Sequence, residues 1–246
     1  MLRQIFYPGL LAGLIAGVFI FGVQQIELIP LILQAEVYEG VSGDGLPDEG
    51  FVSSESPVTR EHIDADGRVH EQERDPWAPG DGFERIAFSF VSNVISGVGF
   101  GLILSAAIIL SRRQYSWRQG VIWGLAGFVA VHLAPAFSLP PELPGMASEA
   151  DLLARQIFAI ATTAFTVAGL GLIAFGRGLI SQFGGAFLIV LPHFYKIERV
   201  AVEHAVPAEL VGQFVVSSLV VTGLFWMLLG GLTARFIARV QKWPSA

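Results

Sequence analysis

The sequence predicts an all-α integral membrane protein with about six transmembrane helices. Three observations carry that prediction. Of 246 residues, 53% are hydrophobic and only 15% charged, where a soluble domain carries nearer a quarter charged residues. The mean hydropathy is +0.60. Six stretches of about 18 or more residues are almost free of charge, each long enough for a helix to cross the hydrocarbon core.

The predicted spans lie near residues 4–27, 86–111, 119–139, 153–176, 178–195 and 210–235. The first opens with one basic residue and an apolar run, as a secretory signal does. No small-residue cleavage site follows, and the chain continues as QQIELIPLILQAE, which reads as more helix, so a retained first span is expected. Spans two and three form a hairpin over Arg112, Arg113 and Arg118. Spans four and five are separated by little more than Arg177, which requires a tight turn. A re-entrant fifth segment with five full crossings is the alternative there.

Charge placement gives the orientation. With the N-terminus in the cytoplasm, the inner segments hold Arg3, the Arg112/Arg113/Arg118 cluster, Arg177, Arg235, Arg239 and Lys242, with no acidic residue. All 21 acidic residues then fall on the outer side or at the outer ends of spans. Basic clusters in short loops stay cytoplasmic, so both termini are expected inside. Tyr115, Trp117 and Trp243 are placed at the inner headgroup level, which suits amphipathic rings.

Glycine totals 28. Gly9, Gly13 and Gly17 recur every four residues on the first span, as do Gly97/Gly101 on the second and Gly120/Gly124 on the third. This spacing lets helix backbones approach closely, and packing within the bundle is its expected use. Residues 36–84 are the exception to the apolar pattern, with 14 acidic residues against Arg60, Arg68 and Arg74. Too few apolar residues lie there for a core, so an acidic extracytoplasmic loop is expected.

The candidate chemistry is on the outer side. His132 in VHLAP lies 14 residues past Arg118, and His193 in LPH lies 16 past Arg177. At the α-helical rise both sit roughly 20–24 Å from the inner edge. Pro135 and Pro192 adjoin them, and a proline frees a backbone carbonyl one turn earlier. Imidazole at that depth is costly and suits an ion path; a histidine bonded to a neighbouring helix is the plain alternative. Spans two/three and four/five share this hairpin-then-His/Pro plan, a weak internal repeat. On the first span Gln24, Glu27 and Gln34 share a helical face, although for Gln34 and Glu36 a helix emerging into water is the favoured reading.

In the loop, His62, Asp64, Asp66, His70 and Glu71 fall within ten residues. Imidazole with carboxylate suits cobalt, nickel or zinc, and with no cysteine copper(I) is disfavoured. DADG resembles the start of a calcium loop whose remaining pattern is missing. A solvated acidic loop that concentrates cations without fixed coordination is the commoner reading. Glu198, Glu203, His204 and Glu209 form a second outer cluster.

Enzyme classes find little support. GxxxxGK[ST], HExxH and GxSxG are absent, and the chain has only two lysines, so no nucleotide is expected to bind, and nothing points to nucleic acid. Without cysteine there are no disulfides or thiolate sites.

Several segments carry a family resemblance: QQIELIPLILQAEVYE after the first helix, WAPGDGFER before the second span, GLAGFVAVHLAPAFSLPPELPG around the third, LPH at the end of the fifth, and AVPAELVGQFVVSSLVVTGLFWMLLG in the sixth. Together they cover nearly the whole chain, which resembles the CbtA family of predicted cobalt transporter subunits. The resemblance implies a multi-pass inner-membrane protein taking up cobalt for cobalamin synthesis, with a small single-span, histidine-tailed CbtB partner. It implies transported divalent metal and no permanent cofactor. His132, Glu142 in PPELPG, His193 and Glu209 in VPAEL are the positions its motifs carry over. The outer loop departs from the histidine-rich pattern, having only His62 and His70. The resulting expectation is a permease subunit whose loop concentrates the ion and whose His132, His193, Gln24 and Glu27 line the path. A non-transporting scaffold that stabilises the partner or another transporter is the alternative.

Overall fold

The computed structural model describes residues 2–38, 79–80, 82–111, 116–144, 146, 151–195 and 205–241. Eight α-helices account for most of them: α1 (Leu2–Glu27), α2 (Ile29–Glu36), α3 (Phe83–Leu110), α4 (Trp117–Phe128), α5 (Ala134–Ala136), α6 (Leu152–Phe175), α7 (Leu179–Val190) and α8 (Ala208–Val240). A π turn, Val129–Leu133, joins α4 to α5, and a 3₁₀ turn, Leu191–Phe194, continues α7. The chain is an all-α, multi-pass membrane protein. Among the described residues five helical segments are long and apolar enough to cross a membrane: α1, α3, the α4–α5 unit Trp117–Ala136, α6 and α8. The sixth apolar segment, Leu179–Phe194, is shorter; its rise sums to roughly 26 Å, against about 30 Å of hydrocarbon.

Backbone proximity organises the bundle. α1 lies along α3, α4 along α8, and α1 and α3 also meet α8. A Cβ built on Gly9 would stand 2.8 Å from the Gly101 carbonyl oxygen, and one on Gly17 2.8 Å from that of Asn93. On the other seam, a Cβ on Gly230 would stand 2.8 Å from the Gly124 Cα. The four-residue glycine spacing is thus used between helices of one chain, where lipid offers no hydrophobic drive and close contact must supply the attraction. Ser105 reinforces the first seam by donating to the Ile5 carbonyl at 2.8 Å. Ala12, Ala16, Leu104, Ile108, Phe225 and Leu229 fill the core around these seams.

α6 and α7 form a second hairpin. Its turn uses Gly178 in the left-handed region, φ 83°, a conformation open to glycine at little cost. Gly169 and Gly185 face one another across this pair. α6 also meets the π turn and α5, which docks the hairpin against the C-terminal half of the α4–α5 unit.

The further helix expected through QQIELIPLILQAE is present, with a one-residue break at Leu28. α1 stops at Glu27 and α2 starts at Ile29, because Pro30 has no N–H to give the Ile26 carbonyl; the ladder resumes at the Leu28 carbonyl, which accepts from Leu31 and Ile32 at 3.1 and 3.0 Å. Arg85 at the start of α3 pairs with Glu36 at the end of α2, fastening these two helix ends together.

Candidate functional site

His132 occupies the π turn. The Ala134 N–H reaches back five residues to the Val129 carbonyl, so the helix widens by one residue ahead of Pro135, which has no N–H of its own to offer. Such single-turn π segments recur at functional sites because they displace a side chain from the regular helical face. His132 is half-buried. Its Nδ1 accepts a hydrogen bond of 3.2 Å from the Trp226 indole Nε1–H on α8. Phe100 of α3 closes the cluster, with ring centroids 4.9 Å from Trp226 and 6.1 Å from His132.

His132 also lines a cavity of about 270 Å³ between α4–α5, α6 and α8. Pro135, Leu139, Pro140 and Pro141 form its apolar wall, and Arg155, Ser218 and Thr222 supply polar groups. Ser218, Thr222 and Trp226 are spaced four residues apart, so one face of α8 presents two hydroxyls and then the indole. Arg155 at the start of α6 is ion-paired with Glu142 at 2.9 Å.

Four of the remaining sequence candidates are also described. The His193 Nδ1 is hydrogen-bonded to the Ser138 hydroxyl at 3.0 Å, and the ring sits edge-on to Phe137 and Phe158, each 6.2 Å away. His193 is thus tied to the end of the same α4–α5 unit that carries His132, but it is not part of the cavity wall. Gln24 accepts from the Asn93 amide at 2.8 Å across the α1–α3 seam. Glu27 is exposed at the end of α1, and Glu209 is exposed in the first turn of α8. None of Gln24, Glu27 and Glu209 lines the cavity. His62, Asp64, Asp66 and His70 lie outside the described residues, as do Glu198, Glu203 and His204. Among the described residues no three or more His, Asp or Glu side chains group closely enough to hold a metal ion.

Trp226, Arg155, Ser138, Ser218 and Thr222 belong to this region without having been singled out from the sequence. Two signals were there to read. Trp226 lies mid-span, away from the headgroup levels that tryptophan favours, and a buried indole N–H requires an acceptor. Arg155 is a basic residue in the first turn of a span, preceded by Glu142, Glu149 and Asp151.

These features define a multi-pass α-helical membrane protein with a histidine-walled cavity between its helices. The family model described as "Probable cobalt transporter subunit (CbtA)" matches residues 2–238, and the chain belongs to that family of transporter subunits. No curated protein and no solved structure matches it.

Proposed function

We propose that the chain is a permease subunit that carries a divalent transition-metal cation, cobalt, inward across the cytoplasmic membrane to supply cobalamin synthesis. The observation that carries this reading is His132: an imidazole in a π turn, inside a span, on the wall of a cavity with two hydroxyls. Imidazole suits cobalt, and a polar group at that depth is expensive unless used. A sparse ligand set suits a transit site, because an ion that must leave cannot be held by a full coordination shell. On this reading both termini are cytoplasmic. The acidic segment 36–84, including His62, Asp64, Asp66 and His70, then raises the local cation concentration outside. Glu27 and Glu209 belong to that outer approach, and His193 to the hairpin that shapes the cavity. A small single-span CbtB-like protein is the proposed partner. Imidazole ligates only when neutral, so acidification lowers uptake.

The absence of a three-ligand group among the described residues also favours a second reading, a membrane scaffold that stabilises such a partner and transports nothing itself. Cobalt uptake into proteoliposomes, with and without the partner, separates the two. The permease reading expects uptake that disappears in His132→Ala/His193→Ala while the protein remains in the membrane. Normal uptake by that double variant, or none by the wild type in the partner's presence, refutes it.

A further inference from the structure

We infer that Trp226 is a positioning residue that fixes the His132 tautomer and thereby weakens the metal affinity of the cavity, an inference that rests on the permease reading for its physiological meaning. An indole nitrogen can only donate. The 3.2 Å bond from Trp226 Nε1 to His132 Nδ1 therefore engages the Nδ1 lone pair, and the proton of the neutral imidazole resides on Nε2. Both nitrogens are then committed: Nδ1 is capped by the indole and Nε2 carries hydrogen.

Metal-binding histidines ordinarily have the opposite arrangement. The far nitrogen donates its N–H to a carboxylate or carbonyl, which exposes the ligating lone pair and raises its basicity. Here the far nitrogen accepts. For a cation in the cavity to bind Nε2, the Nε2 proton must leave and Nδ1 must take one up. The ring stays neutral and no net proton is released, but the Trp226 N–H loses its acceptor. Trp226 is almost fully buried, at 3% exposure, so water cannot readily replace that acceptor. Each binding event therefore breaks one buried hydrogen bond, and departure of the ion restores it. Phe100 and Phe225 pack on the indole, with centroids 4.9 and 5.8 Å away, and Gly127 leaves room for its six-membered ring. The donor is held in place by packing.

The test uses the whole protein in lipid nanodiscs, with cobalt(II) as the probe. Nitrogen-15 spectra of histidine-labelled protein, assigned with His132→Ala, are expected to show an unprotonated Nδ1 and a protonated Nε2 at His132. Trp226→Phe keeps an aromatic ring and removes the donor. It is expected to mix the tautomers and to tighten cobalt binding about threefold to tenfold, the worth of one hydrogen bond, in a titration whose absorption band is lost in His132→Ala. Should the phenylalanine variant fail to fold, site-specific benzothienylalanine at position 226 replaces the N–H by sulfur in a similar outline. A protonated Nδ1 in the wild type overturns the inference, as does unchanged or weakened cobalt affinity once the donor is gone. Both readouts are binding measurements, so failure of the permease reading would appear separately, as absent uptake in vesicles whose protein still shows the tautomer and the affinity change.

Discussion

The Arg155 guanidinium stands 2.9 Å from the Glu142 carboxylate, joining the start of α6 to the proline-rich segment that leaves α5. Arg155 also lines the cavity beside His132, so the ion pair fixes one wall of the site. Each side chain is 27% exposed, which places the pair between a screened surface bridge and a buried one. Arg155→Ala is expected to destabilise the protein by about 1 kcal/mol, read as a lowered thermal midpoint in detergent. The exchange Glu142→Arg with Arg155→Glu recovers part of that loss. A double variant no more stable than the worse single change would mean the two charges are not coupled.

The glycine seams give a sharper contrast. At Gly17 an added side chain meets the Asn93 backbone, whereas a Cβ on Gly22 has nothing within 4 Å. Gly17→Val is therefore expected to cost about 3 kcal/mol, since backbone cannot yield as a flexible side chain does. Gly22→Ala is expected to leave folding unchanged or slightly improved. Thermal midpoints and the yield of monodisperse protein check both. Equal tolerance at the two positions would contradict the packing of α1 on α3.

What the sequence disclosed follows from the range of the forces involved. Span positions and glycine seams are written in local patterns, an apolar run or a four-residue spacing, and the α1–α3 and α4–α8 contacts use Gly9, Gly17, Gly120 and Gly124. The break at Leu28 is local as well, since Pro30 cannot donate to the helical ladder. The partners of the polar side chains were not local at all. Trp226 and His132 are 94 positions apart, and Asn93 and Gln24 are 69 apart. Residue type showed that each needed a partner; only the packing of four helices decides which. His132 and His193 looked equivalent by depth and neighbouring proline, yet one faces a cavity and the other binds a serine.

His193 accordingly has a structural prediction distinct from that of His132. Its bond to the Ser138 hydroxyl at 3.0 Å links the α7 end to the α5 end. Ser138→Ala is expected to cost about 1 kcal/mol and to leave the half-saturating cobalt concentration for uptake unchanged. His132→Ala is expected to reduce uptake at least about tenfold with a smaller effect on stability. Parallel thermal and transport assays separate these effects. A Ser138→Ala protein with altered cobalt affinity would make His193 part of the ion path.

Thr162 and Thr166 on α6 and Thr233 on α8 are fully buried, and their hydroxyls find no hydrogen-bond partner among the described residues. A buried hydroxyl without a partner has lost its hydration and gained nothing in return. Valine has nearly the same outline without the polar atom, so Thr162→Val and Thr233→Val are each expected to be neutral or stabilising by up to about 1 kcal/mol. Thr162→Ala removes a methyl group as well, opens a void, and is expected to destabilise by about 1 kcal/mol. The order valine at or above wild type, then alanine, is read from thermal midpoints in detergent. If valine at 162 proves as costly as alanine, that hydroxyl is hydrogen-bonded in the folded protein, and the interior of α6 is wetter than its packing indicates.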